Sequence, residues 1–321
     1  MILKVLKWIF ISMVMIFSIM LVSLARVDVP YDVIAANYET EYSEFVDIDI
    51  QSLEGETLPL IIHVQKFNED KEDIIVLIHG VFSSSHTFIE AASLLDDYQV
   101  ILIDLPGHGL SSLYPDDVTS LRRHADVVFE TLQTLDIDTF FLGGNSLGGG
   151  VSWYVLYQYQ ALVDIKGLIL IDALSPELVL MMATPSLSFI PSFLINILSS
   201  MTPRGLFSLT LDQVYGDEIP SDALVQRHYD LVRREGVRRQ VPVFTWEPID
   251  DIDFYEVIHQ SNIPVMIVWG QDDQVIPVDI AYQFADRIAS HTLIIYDGVG
   301  HEPHSEHTEI FVDDLKAFIN S

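Results

Sequence analysis

The 321-residue sequence predicts an α/β fold, a mostly parallel eight-stranded sheet with helices on both faces and a helical insertion after the sixth strand. Three observations predict it. From Phe45 onward, apolar runs bounded by turn residues alternate with helical patterns. Most of those runs are unbroken Ile, Leu and Val, as strands buried on both faces require. One interval, from Asp172 to Ile263, is far longer than the roughly dozen residues of an ordinary crossover, so it holds structure of its own.

The opening strands, 45–50 and 58–67, are joined by Glu54-Gly55-Glu56 and predict an antiparallel hairpin. The other six strands are expected over 74–79, 100–105, 139–142, 167–172, 265–269 and 292–296. Helical patterns fall between them at 85–95, 120–135, 147–160, 278–288 and 305–319. In the long interval Pro185, Pro191 and Pro203 cut the chain into short helices, and two more are expected over 206–214 and 223–235. The expected organisation is an N-terminal segment 1–26, a core made of 27–174 and 261–321, and a cap or lid over 175–260.

Composition narrows the function. Sixteen Lys and Arg face 47 Asp and Glu, a formal net charge of -31. Such a surface repels phosphate backbones and excludes a nucleic-acid partner; the excess of acid serves solubility. With no cysteine, disulfides, thiolate metal sites and Cys nucleophiles are excluded together.

Residues 8–25 are uncharged and apolar, and as a helix would span about 27 Å, near the roughly 30 Å of a bilayer's hydrocarbon core. Lys4 and Lys7 precede the run, and Asp28 opens an acidic stretch after Arg26, so the start of the chain is expected on the cytoplasmic side and the rest across the membrane. Ser23 and Ala25 offer small residues for a signal peptidase. The expectation is a membrane anchor with the folded domain outside the cytoplasm, or export after cleavage.

The chemistry centres on Gly144-Asn145-Ser146-Leu147-Gly148, between the strand 139–142 and the helix 147–160. A G-x-S-x-G string arises by chance in roughly a tenth of chains this long, but at a strand-to-helix turn it marks a nucleophile elbow, where side chains beside the serine would collide. A serine hydroxyl needs a base, and His301, in Gly298-Val299-Gly300-His301 after the last strand, is the best placed of the 11 histidines. The imidazole in turn needs a carboxylate, expected from Gln271-Asp272-Asp273; Asp273 is preferred, with Asp272 as the alternative. The order Ser146, Asp273, His301 suits this architecture. Two backbone N–H groups should receive the developing oxyanion, those of Leu147 and of Val81, with Phe82 as alternative to Val81. The series His301, Glu302, His304, Glu306, His307 lacks metal-site spacing and is interrupted by Pro303, so no metal and no cofactor are expected.

Together His79-Gly80, Asp104-Leu105-Pro106-Gly107-His108-Gly109, the serine elbow, Trp269-Gly270-Gln271-Asp272-Asp273 and Gly298 to His301 resemble the α/β-hydrolase superfamily over about residues 45–320. More narrowly, the serine motif behind an apolar N-terminus resembles membrane-bound bacterial lipases and esterases and monoacylglycerol lipases. The resemblance implies a serine triad, a cap after the sixth strand and no cofactor. Serine at position 146 disfavours dehalogenases and epoxide hydrolases, which use a carboxylate there, and leaves ester hydrolysis, carbon–carbon bond hydrolysis, amidase and perhydrolase chemistry. Apolar clusters at 178–182, 187–190 and 193–198 either pack a cap against the core or form an acyl-chain pocket or membrane-facing lid. With the triad and the apolar N-terminus they motivate an ester with an apolar acyl chain, a small molecule or a lipid, while the intact triad with both elbow glycines disfavours a non-catalytic binding protein. Arg233, Arg234, Arg238 and Arg239 form a basic cluster expected to pair with nearby acids.

Overall fold

The computed structural model describes residues 26–52, 54–182, 200, 202–217, 219–240 and 254–321. Residues 8–25, and the apolar clusters 187–190 and 193–198 with Pro185 and Pro191, lie outside the described residues. No helix among the described residues is long and apolar enough to cross a membrane.

The chain enters as helix α1 (Tyr31–Tyr38), followed by the strands β1 (Ser43–Gln51), β2 (Thr57–Phe67) and β3 (Ile74–Ile78). A 3-10 turn (Ser85–Phe88) leads into α2 (Ile89–Leu94), then come β4 (Gln99–Ile103), α3 (Leu121–Thr134), β5 (Thr139–Asn145), α4 (Leu147–Tyr159) and β6 (Asp164–Ile171). Before the next strand the described residues form α5 (Pro176–Met182), α6 (Arg204–Leu211), α7 (Asp222–Val232), α8 (Val237–Gln240) and α9 (Phe254–Ser261). The chain closes with β7 (Val265–Gly270), α10 (Asp279–Arg287), β8 (His291–Tyr296), α11 (Pro303–Glu306) and α12 (Thr308–Ile319).

All eight strands join one sheet in the order β1-β2-β4-β3-β5-β6-β7-β8. The β1–β2 hairpin and the β2–β4 pair are antiparallel, and every other pairing is parallel. Period-two geometry then divides the apolar runs between two cores. Val76, Ile78, Leu168, Leu170, Val265 and Ile267 face α3, α4, α9 and α10. Ile75, Leu77, Ile169, Ile171, Met266 and Val268 face α2 and α12 on the other side. The hairpin shows the contrasting pattern, since β1 alternates buried Val46, Ile48 and Ile50 with exposed neighbours, as a strand covered on one face should.

Several boundaries differ from the sequence reading, each for a local reason. β5 runs on to Asn145, because Gly143 and Gly144 pair with Ile169 and Leu170 and carry the strand to the serine. The expected helix 305–319 is broken at His307, whose φ of -124° and ψ of 51° lie outside the helical region, leaving the single turn α11 before α12. The expected helix 223–235 ends at Val232, with α8 beginning after Gly236 at φ 87°. Helix α1 is absent from the sequence reading, having no strong period; it is held by Ile34 against Leu110 and Leu231.

The arginine cluster, expected to meet acids, binds mainly carbonyls. Arg238 reaches Asp28, Thr202 Oγ1 at 2.7 Å and the Arg26 carbonyl at 2.7 Å. Arg233 donates to the Val27 carbonyl at 2.6 Å and Arg234 to that of Ser111. A parallel bridge between Val29 and Arg234 completes the clasp on residues 26–29.

The rings of His79, His108, His124, His228 and His304 are buried, and the partly exposed His86 buries its Nε2. Burial lowers the pKa of each, to about 3 for His124 and His304. These rings are neutral in the fold but take up protons on unfolding once the pH drops below their ordinary value of about 6.5. The stability they permit is therefore intact above about pH 6.5 and drains as the pH falls towards about 3, by about 1.4 kcal/mol per pH unit for each ring. From the histidines the urea midpoint should fall steeply between pH 6.5 and 5. A midpoint unchanged down to pH 5 would mean that the rings are charged in the folded protein.

Candidate active site

Ser146 is the single residue between the last residue of β5 and the first of α4. To reverse direction in one step its backbone takes φ 54° and ψ -115°, a conformation that costs a non-glycine residue about 1–3 kcal/mol. Hydrogen bonds hold it there: its N–H donates to Ile171 O at 2.9 Å, and its carbonyl accepts from Gly150 N at 3.1 Å and Leu174 N at 3.0 Å. The flanking glycines are obligatory for packing. A Cβ on Gly148 would stand 2.1 Å from Ile78 O, and one on Gly144 would stand 2.4 Å from the Gly148 carbonyl carbon. The helix thus crosses the sheet at backbone-to-backbone distance, which aims the Ser146 side chain away from that contact.

Asp273 and His301 come from the loops after β7 and β8, adjacent strands of the sheet. His301 Nδ1 lies 2.6 Å from Asp273 Oδ2. The other carboxylate oxygen, Oδ1, accepts from Val275 N at 2.7 Å and Ile276 N at 3.0 Å, which fixes the rotamer. With a carboxylate at Nδ1, that nitrogen carries the proton and Nε2 presents a lone pair. Asp272, the alternative, is exposed and makes no such bond; its N–H donates to Val299 O.

Ser146 and His301 line the same cavity of about 220 Å³, together with Val81, Phe82, Phe207, Leu211, Val214 and Val275. No hydrogen bond joins Ser146 Oγ to the imidazole in this structure. Leu147 opens α4, at the positive end of its dipole. Val81 and Phe82 are the central residues of a turn closed by Ser83 N to Gly80 O at 3.3 Å, with Phe82 at φ 58°. None of these three N–H groups finds an acceptor among the described residues, so all are available to a ligand.

Three supporting residues escape the sequence reading. Asn145 Nδ2 donates to the His301 carbonyl at 2.8 Å, tying the residue before the serine to the loop that carries the histidine. His301 N donates to Val214 O at 2.6 Å, so the insertion between β6 and β7 grips the same loop. The Glu306 carboxylate, far from any metal role, accepts from Gly216 N at 2.7 Å and Gly300 N at 3.0 Å. A motif letter x conceals Asn145, and the other two contacts are tertiary; only Glu306, in the series of His and Glu that begins at His301, left a trace in the pattern.

Two further clusters resemble functional sites. Ser43 Oγ, His63 Nε2, His63 Nδ1 and Asp104 Oδ2 form a hydrogen-bonded chain at 2.8 and 2.7 Å, a second Ser–His–Asp sequence. Ser43 already accepts Thr40 N at 3.0 Å, however, and Asp104 binds Ser85 N and Leu110 N. Burial alone would raise the Asp104 pKa, but His63 and these amides draw it far below the ordinary range, so its charge serves to pin two loops. Elsewhere Asp172, Asp273 and His301 bring potential metal-ligating atoms within 4.8 Å of one another, yet the Asp273–His301 hydrogen bond uses atoms that a metal would need. The series His301 to His307 gathers no ligand set: His304 stacks on Phe88 at 4.0 Å, and Glu302 accepts Tyr215 OH at 2.8 Å.

Replacing Gly148 by alanine should abolish the elbow's packing and lower stability by about 3 kcal/mol or more, measured by urea denaturation. Gly205→Ala in α6, where a Cβ meets nothing within 4 Å, should leave the fold unchanged or raise its stability by about 0.5–1 kcal/mol.

Residues 75–314 match the profile of the alpha/beta hydrolase family. Lipase 3 of Moraxella sp. is 27% identical over 297 residues, 85% of each chain. A 2-hydroxy-6-oxononadienedioate/2-hydroxy-6-oxononatrienedioate hydrolase of Paraburkholderia phymatum is 25% identical over 288 residues, 88% of this chain and 96% of its own. A thermophilic esterase from Thermogutta terrifontis superposes with a TM-score of 0.68 at 18% identity, covering 86% of this chain and 98% of its own. With three quarters of its length matched by one profile, and the serine elbow and the eight-stranded sheet in place, the chain belongs to the alpha/beta hydrolase family and resembles its esterases and lipases.

Proposed function

We propose that this protein hydrolyses a carboxylic ester with an apolar acyl group, through an acyl-enzyme on Ser146. The observation that carries the reading is the 2.6 Å Asp273–His301 pair bordering one apolar cavity with the strained serine. In the proposed cycle His301 Nε2 takes the Ser146 proton as Oγ attacks the ester carbonyl, and Asp273 stabilises the resulting imidazolium. The N–H groups of Leu147 and Val81 receive the oxyanion, each contributing about 3–4 kcal/mol to the barrier reduction. His301 then protonates the departing alcohol, and a water molecule deprotonated by the same ring releases the acid.

Carbon–carbon bond cleavage is favoured by the Paraburkholderia relative, whose named substrate is a dioate. A dianionic substrate calls for cations, and no Lys or Arg among the described residues lines the cavity. The ester reading therefore fits the lining better. For location, we place the domain outside the cytoplasm, held by residues 8–25 or released by cleavage after them; the basic start and acidic continuation support this orientation.

Purified protein should turn over p-nitrophenyl esters, with kcat/KM rising from acetate and declining once the acyl chain outgrows the cavity. Ser146→Ala should lose about 10³-fold or more, and Asp273→Asn about 10³- to 10⁴-fold with the fold retained. Ester activity that survives Ser146→Ala would end the proposal, and turnover of a vinylogous diketone with inert esters would favour the carbon–carbon reading. Full-length chain should sediment with membranes, whereas a chain lacking residues 1–25 should remain in the supernatant; equal partitioning of the two would remove the anchor.

A further inference from the structure

Asp172 directly follows β6, as Asp273 follows β7 by three residues, and the proposed mechanism gives it no role. It is fully buried, with φ 42° in the left-handed region that non-glycine residues seldom adopt. Its N–H donates to Val268 O at 3.0 Å, and its Oδ1 accepts Gly270 N at 3.0 Å. The other oxygen, Oδ2, is buried without a hydrogen-bond partner. Polar atoms of Asp172, Asp273 and His301 lie within 4.8 Å of one another.

Two carboxyl groups this close in a buried site do not both ionise, so one keeps a proton. Asp273 has the stronger claim to the charge, since it receives Val275 N, Ile276 N and His301 Nδ1. Asp172 receives one amide only. The titratable groups that face it are Asp273, His301 and Glu306; both acids oppose a second negative charge. Burial first, and then the Asp273 carboxylate, push the Asp172 pKa well above its ordinary value.

We propose that Asp172 is a positioning residue, a carboxylic acid kept neutral in the working enzyme, whose proton on Oδ2 faces Asp273 and holds that carboxylate charged and aimed at His301. The positioning role rests on the hydrolase reading above, whereas the protonation does not. A physical signature follows from linkage. The unfolded chain releases this proton above about pH 4, while the folded chain retains it, so holding it opposes folding more strongly as the pH rises from about 4 towards the folded pKa. Asparagine has the same shape, can donate to Asp273 and accept from Gly270, and has no proton to lose.

The test compares wild type with Asp172→Asn and Asp172→Ala. Relative to wild type, the folding equilibrium constant of Asp172→Asn should increase by up to tenfold per pH unit above about pH 4, as read from urea denaturation across pH 4–8. On a soluble p-nitrophenyl ester at pH 7 the same variant should keep kcat/KM within about threefold, and its activity should persist to higher pH than wild type because no second carboxylate forms there. Asp172→Ala, which leaves Gly270 N unpaired, should lose about tenfold to 100-fold in kcat. A wild-type-to-Asn stability difference that is flat with pH would overturn the protonation. Equal kcat in the Asn and Ala variants, or an unmoved alkaline limb in the Asn variant, would overturn the positioning role. A wild type inert on esters would defeat the hydrolase reading and the positioning role with it, while the stability comparison would still decide where the proton resides.

Discussion

The backbone of Ser146 is the constraint on which the rest of the site depends. A residue at φ 54° and ψ -115° persists only when its surroundings over-determine it. Here β3, β5, α4 and β6 meet at atomic contact: the glycines at 144 and 148 let α4 touch Ile78 and His79, and Ile171 and Leu174 claim the serine's own N–H and carbonyl. The same crossing leaves the Leu147 N–H free at the head of α4. The strained serine and the free Leu147 N–H are therefore products of one packing event, and neither could move without the other.

Around this crossing the buried polar groups form loop fastenings. His79 sends Nδ1 to Gly80 O at 2.7 Å and receives Leu105 N on Nε2 at 3.0 Å, which sets the turn that carries Val81. Asp104 joins the loops of Ser85 and Leu110, Trp269 Nε1 reaches Ile276 O at 2.9 Å across the Asp273 loop, and Glu306 gathers Gly216 and Gly300. Loops built from glycine, proline and small polar residues have little apolar surface with which to hold a shape. Buried side chains saturated by backbone amides provide the rigidity instead.

Much of this was legible in the sequence because the signals were local. Unbroken runs such as Ile75 to Ile78 and Val265 to Val268 can only be strands covered on both faces, and the glycine spacing around Ser146 has a steric cause that operates within five residues. Asp273 and Asp272 were distinguishable only by preference, since the decision lies in which side chain turns inward, and the hydrogen bond at 2.6 Å belongs to Asp273. Asn145, Val214 and Asp172 act across 156, 87 and 101 residues of chain on His301 and Asp273, and no short window can express such contacts. Helix α1 was hidden for a related reason: it has one buried residue, Ile34, and leans on partners more than 70 residues away.

The clasp on residues 26–29 has a mechanical corollary. Arg26 N is bonded to Ser200 O, Val29 runs alongside Arg234, and Arg238 holds both Asp28 and the Arg26 carbonyl. The same stretch of chain, between β6 and β7, supplies Phe207, Leu211 and Val214 to the cavity wall. Residues 26–29 are thus fastened to the very stretch that walls the cavity, so a pull on Arg26 is felt first by that wall.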